Sequence, residues 1–508
     1  MRREILRLEH VTYKESGDIL LQDLDLNIFE GEVMGLLPID AYGLPALMEL
    51  LSNDLPIYHG YIYYREKLVA SWLEEHPGGK RIALIGSNST LVEGQSILTN
   101  VMILRKGYRK EILAMGMLTR QLEIFMEELD CSLDPSMLVE RLSPFERIAV
   151  EILRAVVSDC RLIVLQEVST VISDSEMGRL FHIIHKYTPK GFSFLYVSPH
   201  FEEHLQICDR TAMMMGRRIT KILQGKEMAA QTVSYCSEEY AMRVQERLTN
   251  RLPHREGVVC SVHGLSGTYM DHLDLSVRKG ECLAIQCLDE KVLKELLSML
   301  TGDGNAAGKM LRLEGKTFKK RDRQQIAVVL PQPWNSMIFE ELSVYDNLCI
   351  GMDQRIPDIW RSRGISKSIR NTFEAQMGIG FMDLSMKDLT IQQKSELVYT
   401  RVLFRKPKVV FCIQPFKGAD LSHRLLLWEM QKRLLDKDIA VVIIAVNMAD
   451  ALSIADRVVR IDKYSKVETY ERDEFVKLPP TVPWYSLYRG MSETSEKEKG
   501  ENDVSNWN

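Results

Sequence analysis

The stretch GEVMGLLPIDAYGLPALMELL, which begins at Gly31, runs from a turn through a short apolar strand into an amphipathic helix. That is the frame in which a loop reading G-x-x-x-x-G-K-[S/T] cradles phosphates. In such a loop the glycines let backbone N–H groups curl round the phosphates, and the helix adds its positive N-terminal end. A lysine neutralises charge and a hydroxyl holds Mg²⁺. Here Pro38 stands at the leading glycine, Leu44 at the lysine and Pro45 at the hydroxyl, and Gly43 alone keeps its type. Each proline removes an N–H donor, and each lost charge-assisted contact is worth about 1.5–3 kcal/mol. Proline suits the first turn of a helix, so at Pro45 the helix can stand where the phosphate grip does not.

The elements that would position this loop recur. LDLNIFEGEVMGLL (from Leu24) and LDLSVRKGECLAIQ (from Leu273) share L-D-L, a Gly-Glu turn and an apolar strand. HLQICDRTAMM (from His204) matches ALSIADRVVRI (from Ala451), RLIVLQEVST matches KVVFCIQPFKGAD, and GQSILTNVMI matches ELSVYDNLCI. Landmarks repeated in one order point to a duplicated module. Short apolar runs alternate with helical patterns, so each module is expected to be α/β with a mainly parallel sheet. The runs IAVVIIAV and VVFCI read as buried parallel strands, too short to span a bilayer. The expected division is a first module over 1–236 with a helical insert at about 100–137, and a linker over 237–257. A second module over 258–470 follows, with an insert at about 352–386, and then a polar extension over 471–508 whose end reads as disordered.

The chain has 508 residues and a formal net charge of −5, which gives no general pull toward nucleic acid or anionic lipid. Its nine cysteines form no C-x-x-C pair and no cluster with histidine, so reduced thiols are expected and no zinc site. The opening residues lack an apolar signal core. The expected location is cytoplasmic, peripheral at the inner face of the cell membrane through a partner.

Taken together, these landmarks resemble the ATP-binding-cassette proteins, and within them the tandem two-cassette ATPases of bacterial ribose and galactoside importers. The resemblance runs from about Ile5 to Ile461. It is carried by SDSEMGRLFHII, YVSPHFEEHLQICDR, QQKSELVYTRVLFRKPKVV and VVLPQPWNSMIFEELSVYDNL. It implies an ATPase fold with ATP and Mg²⁺ as cofactors, and a transmembrane permease as partner. A sugar-binding protein and a separate intact ATPase are further partners that it allows.

The resemblance also locates the remaining site positions. In the second loop Cys287, Glu290 and Val292 fall at glycine positions, Leu293 at the lysine and Lys294 at the hydroxyl, with Asp289 beside Glu290 placing carboxylates where phosphate would lie. Gln166 takes the place of the metal-linked aspartate, while Glu167 keeps the place of the carboxylate that activates water. Ile413 and Gln414 stand at the matching pair. Leu142 and Ser143 begin one signature, and Gln392, Gln393 and Lys394 remain from the other. Ser87 and Gln332 fall at the glutamine-loop positions, Gln332 where this family often has glutamate. Pro199 replaces the loop histidine; His200 comes one residue late and is expected on the surface, because a one-residue shift after a strand turns the side chain to the other face. Ala445, Val446 and Asn447 stand at the second such loop. Tyr13 lies near the position where the family stacks a ring on adenine, and it also reads as a half-buried strand residue. Glu167 reads equally as a general base or as a solvated or paired carboxylate. GDGNAAGKM (302–310) and PGGK (77–80) imitate phosphate loops but precede strands, so they read as turns.

Three readings follow: a non-hydrolysing or weakly nucleotide-binding structural or regulatory subunit of a transport complex, an ATPase with unorthodox ligands, or a soluble scaffold that reuses the fold.

Overall fold

The computed structural model describes residues 3–40, 42–71, 73, 81–104, 115–127, 133–228, 257–287, 290–300, 311–318, 320–350, 363–378, 380–446, 448, 451–462 and 466–478. The chain divides into two compact units, 1–239 and 240–508.

In the first unit β1 (Glu4–Glu15), β2 (Asp18–Phe29), β4 (His59–Tyr64) and β5 (Lys67–Ser71) form an antiparallel sheet in the order β2-β1-β4-β5. A second sheet, in the order β10-β9-β3-β8-β7-β6, contains β3 (Val33–Pro38), β6 (Ile82–Ile85), β7 (Leu162–Gln166), β8 (Ser193–Val197), β9 (Arg210–Met215) and β10 (Arg218–Gln224). It is parallel except for the β9–β10 hairpin. Its strands are apolar on both faces because both faces are covered. Met34, Leu36, Leu162, Val164 and Leu195 pack toward the antiparallel sheet and α1 (Leu44–Ser52). Val33, Ile163, Leu165, Phe194 and Tyr196 pack toward α3 (Pro144–Val157) and α4 (Asp174–Tyr187). The period-two alternation of a strand sorts one run of residues into two cores.

The second unit repeats this plan. Strands β11 (Val258–Leu265), β12 (Leu273–Arg278), β14 (Leu311–Leu313) and β15 (Lys316–Thr317) form the antiparallel sheet. Strands β13 (Cys282–Cys287), β16 (Ile326–Val329), β17 (Val409–Ile413), β18 (Ala440–Ala445), β19 (Arg457–Ile461) and β20 (Val467–Glu471) form the other, in the order β16-β17-β18-β13-β19-β20. Read from its other edge, that order matches the first unit strand for strand. The tandem α/β architecture expected from the landmarks is the one observed, and VVFCI and AVVIIA are its fully buried strands β17 and β18.

One sequence expectation fails. His200 is buried, at 7% exposure. The strand alternation ends at Val197, and His200 becomes the N-cap of α5 (Phe201–Ile207), its N–H bonded to Ser198 Oγ at 3.1 Å. Of the expected inserts, α2 (Met115–Met126) and the helix Arg363–Met377 are seen. The linker before Gly257, the end of the C-terminal extension, GDGNAAGKM, PGGK and Asn447 lie outside the described residues. Among the described residues, no helix is long and apolar enough to cross a membrane.

Candidate functional site

The candidate nucleotide loop of the first unit sits between β3 and α1. The strand ends at the buried Pro38, and Ile39 extends the ladder by donating to Met214 O at 2.9 Å. Asp40 then closes the loop on itself. Its Oδ1 accepts from Tyr42 N at 3.2 Å, and its Oδ2 accepts from Gly216 N in the β9–β10 turn at 2.9 Å. A loop N–H that would face a phosphate thus already holds a carboxylate.

Gly43 survives for a reason of its own. It is the N-cap of α1 at φ 85°, and a Cβ there would lie 2.7 Å from Leu20 O and 3.0 Å from Met214 Cε. Left-handed backbone and close approach to β2 both require glycine. Leu44, at the lysine position, is 6% exposed and belongs to the core between α1 and the antiparallel sheet. Pro45 occupies the first turn of α1. Tyr13 is 6% exposed in the same core.

Glu167 follows β7 with φ 51° and donates its N–H to Val197 O at 2.9 Å. Gln414 follows β17 with φ 41° and donates to Ile444 O at 2.8 Å. The two positions are equivalent in backbone, and one carries a carboxylate while the other does not. Glu167 is half-buried, as is Gln166 before it, which is in register with Val197.

Past β8, Glu203 Oε2 accepts from Tyr196 Oη and Ser198 Oγ, each at 2.6 Å. His204 Nε2 lies 2.8 Å from Ser198 O, and burial pushes its imidazole down to about 4. Burial also raises the Tyr196 phenol well above its usual range. His204 packs under β3, where a Cβ on Gly35 would fall 2.3 Å from its Nδ1. This polar network occupies the region of the lost loop histidine.

Both signatures act as helix caps. Ser143 and Glu146 form a reciprocal capping box at the start of α3, directly after the buried Leu142. Thr390 and Gln393 do the same for the helix Ile391–Arg405. Gln392 is half-buried on that helix, and Lys394 Nζ lies 3.9 Å from Glu340. Gln332 is left-handed at φ 48° and caps the helix Pro333–Ser336, its Nε2 lying 2.7 Å from where a Cβ on Gly418 would be.

In the first unit Ser87 is half-buried. The segment just after it is held by Glu151, 2% exposed on α3, which sequence reasoning missed. Its Oε1 accepts from Thr90 N at 2.6 Å, Thr90 Oγ1 at 2.7 Å and Ser89 Oγ at 3.3 Å. Its Oε2 has no hydrogen-bond partner.

In the second loop Val292 and Leu293 are buried. Leu288 and Asp289 lie outside the described residues. Gln286 is buried at the end of β13, donating to Val446 O at 3.0 Å and accepting from Arg460 Nε at 2.9 Å. Glu295, on the helix Glu290–Leu300, accepts from Thr268 N at 2.5 Å and Tyr269 N at 2.7 Å. Each unit therefore ties a carboxylate to backbone N–H groups beside its degenerate loop.

His10, Asp23 and Asp25 form an exposed trio with ligand atoms within 4.8 Å of one another. They already bond to each other at the β1–β2 irregularity, His10 Nδ1 to Asp23 Oδ1 at 2.9 Å and His10 N to Asp25 Oδ1 at 2.9 Å.

No protein-family model matches the chain. Among curated proteins it is 23% identical over 481 residues to the galactose/methyl galactoside import ATP-binding protein MglA of Clostridium perfringens, covering 89% of this chain and 90% of that protein. It is 22% identical to the ribose import ATP-binding protein RbsA of the same species, covering 93% of this chain and 96% of that protein. The Haemophilus influenzae MglA is 21% identical over 89% of this chain and 92% of its own length. A solved nucleotide-free ATP-binding cassette from an ABC transporter is 18% identical, covers 46% of this chain and 95% of its own, and superposes with a TM-score of 0.39. Matched end to end by these relatives and built of two like modules, the chain is a tandem ATP-binding-cassette protein related to the ATP-binding subunits of bacterial ribose and galactoside importers.

Proposed function

We propose that the chain is a two-cassette subunit of a sugar-import type of complex that supplies structure or regulation in place of ATP turnover. It docks on a transmembrane permease at the inner face of the membrane, and a separate intact ATPase supplies any hydrolysis the complex needs. The import setting comes from the relatives' names, which describe galactoside and ribose import.

The observation that carries the non-hydrolysing part is the Asp40 carboxylate bonded to Tyr42 N–H inside the first phosphate loop, with Leu44 buried where a lysine would meet phosphate. The residues present do not fit Mg²⁺-ATP. The loop offers a negative charge to a negative ligand, two of its donors are prolines, and Gln166 offers no charge to a metal. Glu167 without phosphate grip or metal ligand has no reacting group to serve.

Calorimetric titration of the purified chain with ATP, ADP and GTP, each with Mg²⁺, tests this and is expected to be flat. Magnesium-dependent ATP turnover by the chain with its permease, abolished by Glu167→Gln, overturns it. Recovery of a permease from membranes by the tagged chain supports the docking.

A further inference from the structure

We infer that the second unit carries a cation-rich face that seats directly on an anionic phospholipid surface. This goes beyond the permease-bound reading and does not depend on it.

The β14–β15 hairpin turns at Glu314 and Gly315, both left-handed, with φ 47° and 76°. Arg312 lies on its first strand and Lys316 opens its second, and both are exposed. Beside it, Lys408 donates its N–H to Gln325 O at 2.8 Å, which brings the start of β17 against the end of the short helix Lys320–Gln325. Lys406, exposed and left-handed at φ 47°, precedes it. The short helix adds Lys320, Arg321 and Arg323.

Lys408 is neutralised by Glu314 at 2.5 Å. Arg312, Lys316 and Lys406 have no carboxylate partner among the described residues. A cleft of about 540 Å³ opens there, lined by Lys316, Thr317, Gln325 and Lys408 together with Glu314 and Asp322. Its ammonium, hydroxyl and amide donors suit phosphate oxygens.

The duplication provides an internal control. Residues 312–325 hold six basic and two acidic side chains, whereas the matching residues 63–81 of the first unit hold four and three. Before the following strand the second unit has Arg405, Lys406 and Lys408, where the first has Asp159 and Arg161. The first unit builds the same sheet without this charge, so the fold does not demand it. The whole chain is at −5, so the face is a local concentration against the overall sign.

Clusters of about four to eight Lys and Arg on one surface are the chemistry of anionic headgroup attraction. Single-stranded nucleic acid needs exposed rings for bases to stack on. Phe318, the aromatic residue here, packs against the unit's core. The hairpin and the six-residue helix are too short to present a reading element to a duplex groove.

The test is flotation of the purified full chain, without permease, on vesicles of phosphatidylcholine alone and of phosphatidylcholine with one-third phosphatidylglycerol. Recovery with the anionic vesicles only, released by high salt, is expected. The variant Arg312→Glu/Lys316→Glu/Lys406→Glu should lower the bound fraction by at least about tenfold. The control Arg65→Glu/Lys67→Glu, on the matching hairpin of the first unit, should leave it unchanged, with thermal melts showing both variants folded. Absence of wild-type flotation, or equal flotation of the triple variant, overturns the proposal. So does capture of inorganic phosphate or a DNA duplex with no vesicle binding. A flat nucleotide titration alongside salt-sensitive flotation supports both readings, and each can fail without the other.

Discussion

Arg210 Nε meets Glu32 Oε1 at 2.6 Å, and the second oxygen of that carboxylate accepts Phe29 N–H at 2.7 Å. The second unit repeats the contact between Arg457 and Glu281 at 2.9 Å. The Glu32 side chain is 1% exposed and that of Arg210 13%. Truncating one partner of a buried pair leaves the other charge uncompensated, at about 3–5 kcal/mol. Glu32→Ala should therefore cost the first unit about that much in urea unfolding, and Glu281→Ala should cost the second unit a similar amount. A loss near zero would mean that water replaces the carboxylate.

This pair also marks how far the sequence could be read. The Gly-Glu and Asp-Arg landmarks were visible as a repeat, and so were the strands, because runs such as AVVIIA have no stable place except between two covered faces. That Glu32 and Arg210 are partners was not visible, because only the β3–β9 pairing brings them together. The emptied phosphate loop was legible from residue type at fixed spacing. Asp40 was not legible as its stopper, since Gly216 reaches it only through the β9–β10 hairpin. His200 misled because the strand period was carried past the point where the chain turns into a helix cap. His204 and Glu151 gave no local signal; what buries them comes from distant elements.

Gly43 should resist substitution although the loop around it no longer needs to hold phosphate. With φ 85° and a Cβ position 2.7 Å from Leu20 O, Gly43→Ala meets both backbone strain and a backbone clash. Gly94, at φ 74° with nothing within 4 Å, meets strain alone. Left-handed backbone costs about 1–2 kcal/mol for a residue with a Cβ, so Gly94→Ala should lose about that and Gly43→Ala clearly more. Denaturant midpoints of the two variants measured side by side decide it. Equal losses would show that the β2 contact relaxes freely.

Acid should weaken the protein before its carboxylates titrate. His423 is buried between Trp334, with ring centroids 4.6 Å apart, and Ser395 Oγ at 2.8 Å from Nε2. Ser395 also donates to Ile391 O at 2.9 Å, so His423 is the donor to Ser395. Burial, with Arg424 nearby, lowers His423 to about 4, and burial lowers His204 to about 4. The unfolded chain takes up these protons near pH 6.5, and the folded chain resists until about 4. The stability is full above pH 6.5 and is lost as pH falls toward 4, by up to about 3 kcal/mol per histidine. Unfolding free energies at steps between pH 7 and 5 should show this decline, and His423→Asn should flatten it. An unchanged slope in the variant would remove His423 from the account.

Glu151 should act as a clasp for the segment that follows Ser87. Its Oε1 gathers the Thr90 N–H, the Thr90 hydroxyl and the Ser89 hydroxyl, while Arg154, 3.6 Å from the same oxygen, also reaches Thr90 O at 3.3 Å. Eight residues past its helix cap, the second unit has the fully buried Val398 where the first has Glu151, so the helix position itself accepts an apolar side chain. The carboxylate is there for the loop. Glu151→Gln keeps an acceptor for Thr90 and removes a buried charge whose Oε2 has no partner, so it should change stability by no more than about 1 kcal/mol. Glu151→Ala removes the acceptor and leaves Arg154 short of its counter-charge, at about 3 kcal/mol. Limited proteolysis should then cut the Ala variant near Ser89 at a protease level that spares both the wild type and the Gln variant. Equal resistance of all three would assign the hold on this segment to Arg154 and the neighbouring Asn100–Val92 contacts, at 2.8 Å and 3.2 Å, in place of Glu151.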